Sequence, residues 1–193
     1  MKSLTLENLQ KLLSTAKEKS ETDALMYLVG FNHGLRISEL LKLTAASIVG
    51  NSLVVQRLKG SKRTAQPLHA NERDGLLTLA SITTQGSSLF KTCSREELDH
   101  RNGKCGCRRK ADRHFKKVCA KAGVNPLLAH CHTLRHTCAM MGLKGGMKIN
   151  ELQTYLGHKS GASTMVYLQV SDDVASQAFA AALAIGGTTT EVT

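Results

Sequence analysis

Leucine recurs at three- and four-residue steps near the start of the chain. Leu6, Leu9, Leu12 and Leu13 share one face of a helix, and Thr5 stands where its hydroxyl can cap it. A second helix is predicted from Thr22 through DALMYLVGFNH. It should close at Gly34, because glycine most easily takes the left-handed turn after a helix. RISELLKL reads as a short third helix. The pattern then switches to period two: SLVVQRL and RTAQPLH are strand-like runs joined by KGSK, a hairpin with Gly60 in its turn. NERDGLLTLASI returns to helical spacing.

Residues 83–107 carry no period and end in NGKCGC, which predicts a long surface loop. RRKADRHFKKVCAKAG follows as a basic amphipathic helix closing at Gly123. Three short helical pieces come next, around TLRHTCAMMGL, INELQTYLG and ASTMVYLQV. The last helix, SDDVASQAFAAALAIGG, has a Ser171 cap, an acidic first turn and a stripe of Val174, Ala178, Phe179 and Ala182. No internal repeat is present. The expected class is mainly α with a small antiparallel β-sheet (α+β).

Composition narrows the partners. With 193 residues the chain is long enough for one real core, and the absence of Trp makes that core aliphatic. No apolar run approaches the roughly 18 residues a membrane span needs, and MKSLTLENLQ lacks a signal-peptide segment. A cytoplasmic chain follows, with its six cysteines reduced. The net charge is +11, and the excess is local: eleven basic and four acidic residues lie between Lys91 and Lys121. Such a stripe suits a polyanion, and nucleic acid is the commonest one. The cations expected to meet it are Arg108, Arg109, Lys110, Arg113, Lys116 and Lys117 on the basic helix, with Lys62 and Arg63 on the hairpin.

Phosphate-binding glycine loops, a GxSxG elbow and HExxH are missing, and carboxylates do not cluster as a two-metal nuclease requires. What recurs is His and Arg beside small residues: HGLRISEL, LKGSK, HTLRH, LGHKS, then the tyrosine of TMVYLQV. In this order and spacing the pieces resemble the catalytic domain of the tyrosine recombinase (phage integrase) family, over roughly residues 4–180. The resemblance implies that family's catalytic-domain fold and a role for each position. Tyr167 would be the nucleophile that leaves a 3′-phosphotyrosine and a free 5′-hydroxyl. Arg36 and Arg135 would hold the non-bridging phosphate oxygens. His132 and His158 would donate hydrogen bonds or carry the tyrosine proton, and Lys59 would protonate the leaving oxygen. Glu39 would orient Arg36, and His136 would support the motif. Neither metal nor other cofactor is implied.

The implied activity is site-specific DNA recombination. A type IB topoisomerase-like relaxing enzyme and a catalytically silent DNA-binding regulator are the alternatives. The implied partners are double-stranded DNA, further copies of the chain as dimer or tetramer on paired sites, and accessory DNA-bending or directionality proteins. A bacterial, phage or mobile-element origin goes with them. Only 35 residues precede Arg36, so residues 1–185 are expected to form one catalytic domain without the usual N-terminal core-binding domain, and residues 186–193 a disordered tail. The helix after Ser171 would pack in cis or dock on a neighbouring copy. Cys93, His100, Cys105 and Cys107, with His114 beyond, fit zinc spacing poorly, and no metal is expected there.

Overall fold

Thr5 caps the first helix, α1 (Leu6–Lys19): its hydroxyl accepts from Asn8 N at 3.2 Å. These details come from a computed structural model that describes residues 3–58, 63–90, 107–158 and 164. Leu9, Leu12 and Ala16 form the buried line of α1, with Leu13 packed at its edge. Leu6 departs from the expected stripe and is 59% exposed. The first turn overhangs the core, and Leu4 reaches in from before the cap instead, its N–H donating to Thr137 Oγ1 at 3.0 Å. Ser20 ends α1 and caps α2 (Glu21–Asn32), accepting from Asp23 N at 3.2 Å. That start is one residue before the expected one, because the Ser20 hydroxyl serves as the cap. Gly34 closes the helix with φ +56°, as predicted. It also sits in a narrow space: a Cβ there would lie 2.5 Å from Leu156 Cδ2.

α2 is the central helix, with Met26, Tyr27, Val29 and Gly30 buried against α1, α4 (Ala70–Ile82) and α6 (His132–Lys144). The short α3 (Ile37–Leu40) follows the Gly34 turn. The expected hairpin is present as β2 (Ser52–Val55) and β3 (Thr64–Pro67), pairing Leu53 with Gln66 and Val55 with Thr64. A third strand, β1 (Ile48–Val49), adds to the far edge of β2 and makes the sheet antiparallel β1-β2-β3. Two residues are too few to show a period, so the pattern could not announce it. Leu53 and Val55 face the core, and the alternation carries on to Arg57, which is 2% exposed.

The basic helix is α5 (Cys107–Lys121), closed by Gly123 at φ +69°. Phe115 seats it edge-on against Tyr27, with ring centroids 5.0 Å apart, and Lys121 pairs with Glu18 of α1 at 2.9 Å. Asp112 Oδ1 accepts from Cys131 N at 3.2 Å, tying α5 to the turn that starts α6. α7 (Ile149–Leu156) packs on α6 through Leu152 and Leu156 against Ala139 and Met140. The rest of the core is aliphatic apart from Tyr27, Phe90 and Phe115. Cys119 and Cys131 are buried free thiols, and Cys138 is half-buried. Among the described residues no helix is long and apolar enough to cross a membrane. Cys93, His100, Cys105 and the helix after Ser171 lie outside the described residues.

Candidate active site

Chain segments far apart in sequence converge on Glu39. Arg36, at the start of α3, donates its backbone N–H to Glu39 Oε2 and its Nη1 to Oε1, both at 2.9 Å. Arg57 Nη1 reaches Oε2 at 3.2 Å, and Leu58 N donates to Oε1 at 3.1 Å. Arg135 Nη1 lies 4.0 Å from Oε2. Burial by itself would raise the Glu39 pKa. The backbone N–H groups of Arg36 and Leu58 and the Arg57 charge outweigh that and hold it below the ordinary carboxylate value. Two of these hydrogen bonds tie Glu39 to Arg36.

Arg135, in the second turn of α6, is 1% exposed. Its Nη1 donates to the Gly34 carbonyl and its Nη2 to the Leu156 carbonyl, the latter at 3.0 Å. It therefore holds together the turn that launches Arg36 and the turn that launches His158. Gly157 makes the second turn with φ +65°, and His158 leaves it with Nδ1 2.7 Å from Thr164 Oγ1. His132 and His136, one helical turn apart on α6, meet edge-on with ring centroids 4.5 Å apart.

All three histidines have pKa values pushed down to about 4. Desolvation is the leading cause, although His132 keeps an exposed edge, and the Arg135 charge acts on each of them. Arg36 adds to the effect on His132 and His158. These imidazoles are neutral near pH 7, able to donate one hydrogen bond and accept a proton. Among the described residues, three guanidinium groups (Arg36, Arg57 and Arg135) share the single carboxylate of Glu39. Guanidinium groups gathered in a partly buried place have the electrostatics of an anion site. Arg36 is its accessible member, with a quarter of its side chain exposed.

Of the expected site residues, the structure brings Arg36, Glu39, His132, Arg135, His136 and His158 into one neighbourhood. Tyr167, Lys59 and Lys62 lie outside the described residues. Arg108, Arg109, Arg113, Lys116 and Lys117 project from α5 as exposed cations, Lys110 is half-buried, and Lys116 is 3.5 Å from Asp112. Arg63 is exposed just before β3 and lines, with Gln66, Thr154 and His158, a cleft of about 710 Å³ between β3 and α7.

Two buried features went unmarked in the sequence. One is Arg57. Its signal was the alternation Leu53, Val55, Arg57, which puts a cation on the core face. The other is His33, whose Nε2 lies 2.6 Å from Glu72 Oε1 and whose Nδ1 lies 2.9 Å from Gln66 Oε1. Together with His69, His33 and Glu72 place possible metal-ligand atoms within 4.8 Å of one another. The His33–Glu72 contact is a direct hydrogen bond, closer than two ligands at about 2.0 Å from one tetrahedral zinc can stand. His69 is exposed beside this buried polar pair.

A sequence model of the phage integrase family matches residues 2–173. The chain belongs to the phage integrase family. Within it, the tyrosine recombinase XerA of Thermococcus onnurineus (strain NA1) is 30% identical over 173 residues, covering 88% of this chain and 58% of that protein. The type 1 fimbriae regulatory protein FimE of Escherichia coli (strain K12) is 30% identical over 149 residues, 75% of this chain and 73% of that protein. The XerH site-specific recombinase, solved bound to its palindromic difH substrate after cleavage, superposes with a TM-score of 0.70 at 20% identity. The match covers 91% of this chain and 52% of XerH. The mainly helical fold with a small antiparallel sheet is thus the integrase fold. This phage integrase family chain spans a little over half the length of XerA and XerH.

Proposed function

We propose that this chain carries the catalytic part of a site-specific DNA recombinase, cutting and rejoining strands without metal through a 3′-phosphotyrosine. The observation that carries the reading is the gathering of three guanidinium groups at Glu39, flanked by neutral His132 and His158. A phosphodiester gains negative charge as the nucleophile adds, and fixed cations in a low-dielectric site favour that state over the ground state. Arg36, the accessible cation, takes the non-bridging oxygens first. Arg135 acts from beneath, since bidentate contact with phosphate requires exchange of its bonds to the Gly34 and Leu156 carbonyls. His132 or His158, being neutral, accepts the proton that Tyr167 gives up as its oxygen attacks phosphorus. Lys59 returns a proton to the departing 5′-oxygen. The covalent ester conserves the bond, so a 5′-hydroxyl from another strand reverses the step.

Double-stranded DNA is the proposed substrate, in keeping with the palindromic difH substrate on which XerH was solved. The exposed cations of α5, tied to the start of α6 through Asp112, provide the phosphate contacts that seat it. Dimers on one site and tetramers on paired sites follow from strand exchange, and the work is cytoplasmic. The test is a nicked suicide substrate that traps the covalent adduct. Wild type should form the adduct and Tyr167→Phe should not; a wild-type protein that binds DNA yet never forms one overturns the reading. Relaxation of a supercoiled plasmid with no exchange between paired sites would assign the chemistry to a topoisomerase-like cycle instead.

A further inference from the structure

We propose that Arg57 is a positioning residue for this site: a buried cation that sets the distance between the Arg36 turn and the His158 turn. The inference rests on the recombinase reading above. Arg57 is the next inward position after Leu53 and Val55, where period two calls for an apolar side chain. A guanidinium is tolerated there because every face of it is engaged. Nη1 donates to Glu39 Oε2 at 3.2 Å, and Nη2 to the carbonyls of His33 at 3.2 Å and Tyr155 at 3.0 Å. Nε donates to Thr64 Oγ1 at 2.9 Å. Its aliphatic stem lies against Gly157, where an added Cβ would stand 2.7 Å from Arg57 Cγ.

These partners are the structural supports of the two motifs that flank the phosphate site. His33 precedes the Gly34 turn and Arg36, Glu39 holds the Arg36 guanidinium, and Tyr155 and Gly157 deliver His158. Gln66 Nε2 donates to the same Tyr155 carbonyl at 2.9 Å, so that carbonyl is held from two sides. Arg57 itself is almost wholly covered and touches no substrate. Its planar fork suits the task, because a lysine can neutralise Glu39 but cannot reach Glu39, two carbonyls and Thr64 together. A small displacement of either turn would misplace the charge that meets the phosphate, and a shift of about 1 Å costs on the order of 100-fold in rate.

Arg57→Lys tests this with single-turnover cleavage of the suicide substrate at saturating DNA. Melting temperature and DNA affinity are measured alongside. A second substrate carries a neutral methylphosphonate at the scissile position, which asks far less of the arginines. The variant should melt as a folded protein and bind DNA as wild type does. It should cleave the phosphodiester about 100-fold more slowly yet lose much less on the methylphosphonate. Unchanged phosphodiester cleavage, a loss confined to DNA affinity, or an equal loss on both substrates overturns the proposal. Should Arg57→Lys not fold, Thr64→Val, which removes only the Nε partner, decides. It should slow phosphodiester cleavage by about 10-fold, the worth of one hydrogen bond, with binding unchanged; wild-type cleavage overturns the proposal. Wild-type adduct formation is the control: its absence sinks the recombinase reading, whereas its presence with unaffected variants sinks only the role of Arg57.

Discussion

Replacing Glu39 by glutamine removes one negative charge and keeps the shape of the side chain. Glu39 is fully buried and accepts hydrogen bonds from Arg36 N, Arg36 Nη1, Arg57 Nη1 and Leu58 N. An amide can accept on one oxygen only, and its NH2 group would point at donors. Removing one partner of a buried ion pair costs about 3–5 kcal/mol, because the surviving charge is left uncompensated. A single domain is stable by only about 5–15 kcal/mol, so the variant keeps a fold with little margin. At about 2–4 °C per kcal/mol for a chain of this size, the melting temperature should fall by about 6–20 °C. The assay is a thermal melt followed by circular dichroism at pH 7, repeated with added sulfate. Sulfate should recover part of the loss, and more of it than it adds to wild type, because it supplies the missing negative charge to the arginines. A fall of less than about 2 °C, or equal sulfate stabilisation of both proteins, would refute the reasoning that this carboxylate offsets part of the charge of these cations.

The same geometry makes other outcomes checkable. His132, His136 and His158 titrate near 4 in the folded chain against 6.5 when unperturbed. Between those values the unfolded chain binds protons that the folded one refuses, so the urea midpoint should fall steadily from pH 6.5 toward pH 4. A midpoint that rises or stays flat over that window contradicts the lowered pKa values of these rings. Gly34→Ala should cost about 1–3 kcal/mol from overpacking against Leu156, in addition to about 1–2 kcal/mol for a left-handed Cβ. Gly50→Ala, with φ +58° but nothing within 4 Å, should show the second cost alone, and equal losses would deny the close approach at Gly34. Arg36→Lys should melt near wild type and lose cleavage, whereas Arg135→Lys should lose both, since Arg135 bonds two main-chain carbonyls and Arg36 bonds the Glu39 carboxylate. Matching melting temperatures for the two variants would contradict that division.

The helices and the hairpin were legible because each rests on a local signal: a leucine step, a cap, a left-handed glycine, an alternating run. The α+β class follows from those signals, and the integrase fold bears it out. What escaped was set by neighbours. Leu6 has the right spacing for the core face, yet it is exposed, while Leu4, outside the helix, is buried. β1 is a strand only because β2 offers it an edge. That Arg36, His132, Arg135 and His158 belong together was an expectation from order and spacing, and Lys59 and Tyr167 of the same set lie outside the described residues. Arg57 and the His33–Glu72 pair were not, because a lone arginine on a strand or a histidine at a helix end reads as surface until the fold closes over it. Glu72 shows the cost of that closure: desolvation would raise its pKa, and the hydrogen bond and charge of His33 bring it below the ordinary value.

The buried polar groups of this domain lie where motif meets motif. Arg135 joins α6 to carbonyls 101 and 21 residues away in sequence, and Arg57 joins the sheet to α2 and α7. Apolar packing could hold these elements together as tightly, but it would not fix their register to a fraction of an ångström. Directional donors aimed at the carbonyls of Gly34, His33, Tyr155 and Leu156 do fix it, because each bond weakens steeply with angle. Both Gly34 and Gly157 are left-handed turns with neighbouring side chains where a Cβ would stand, so the main chain itself comes close enough for arginines to grip. The turns that present Arg36 and His158 are therefore held by the same class of side chain that is proposed to meet the phosphate. A substitution that loosens the grip of Arg57 should reach the chemistry before it reaches the fold.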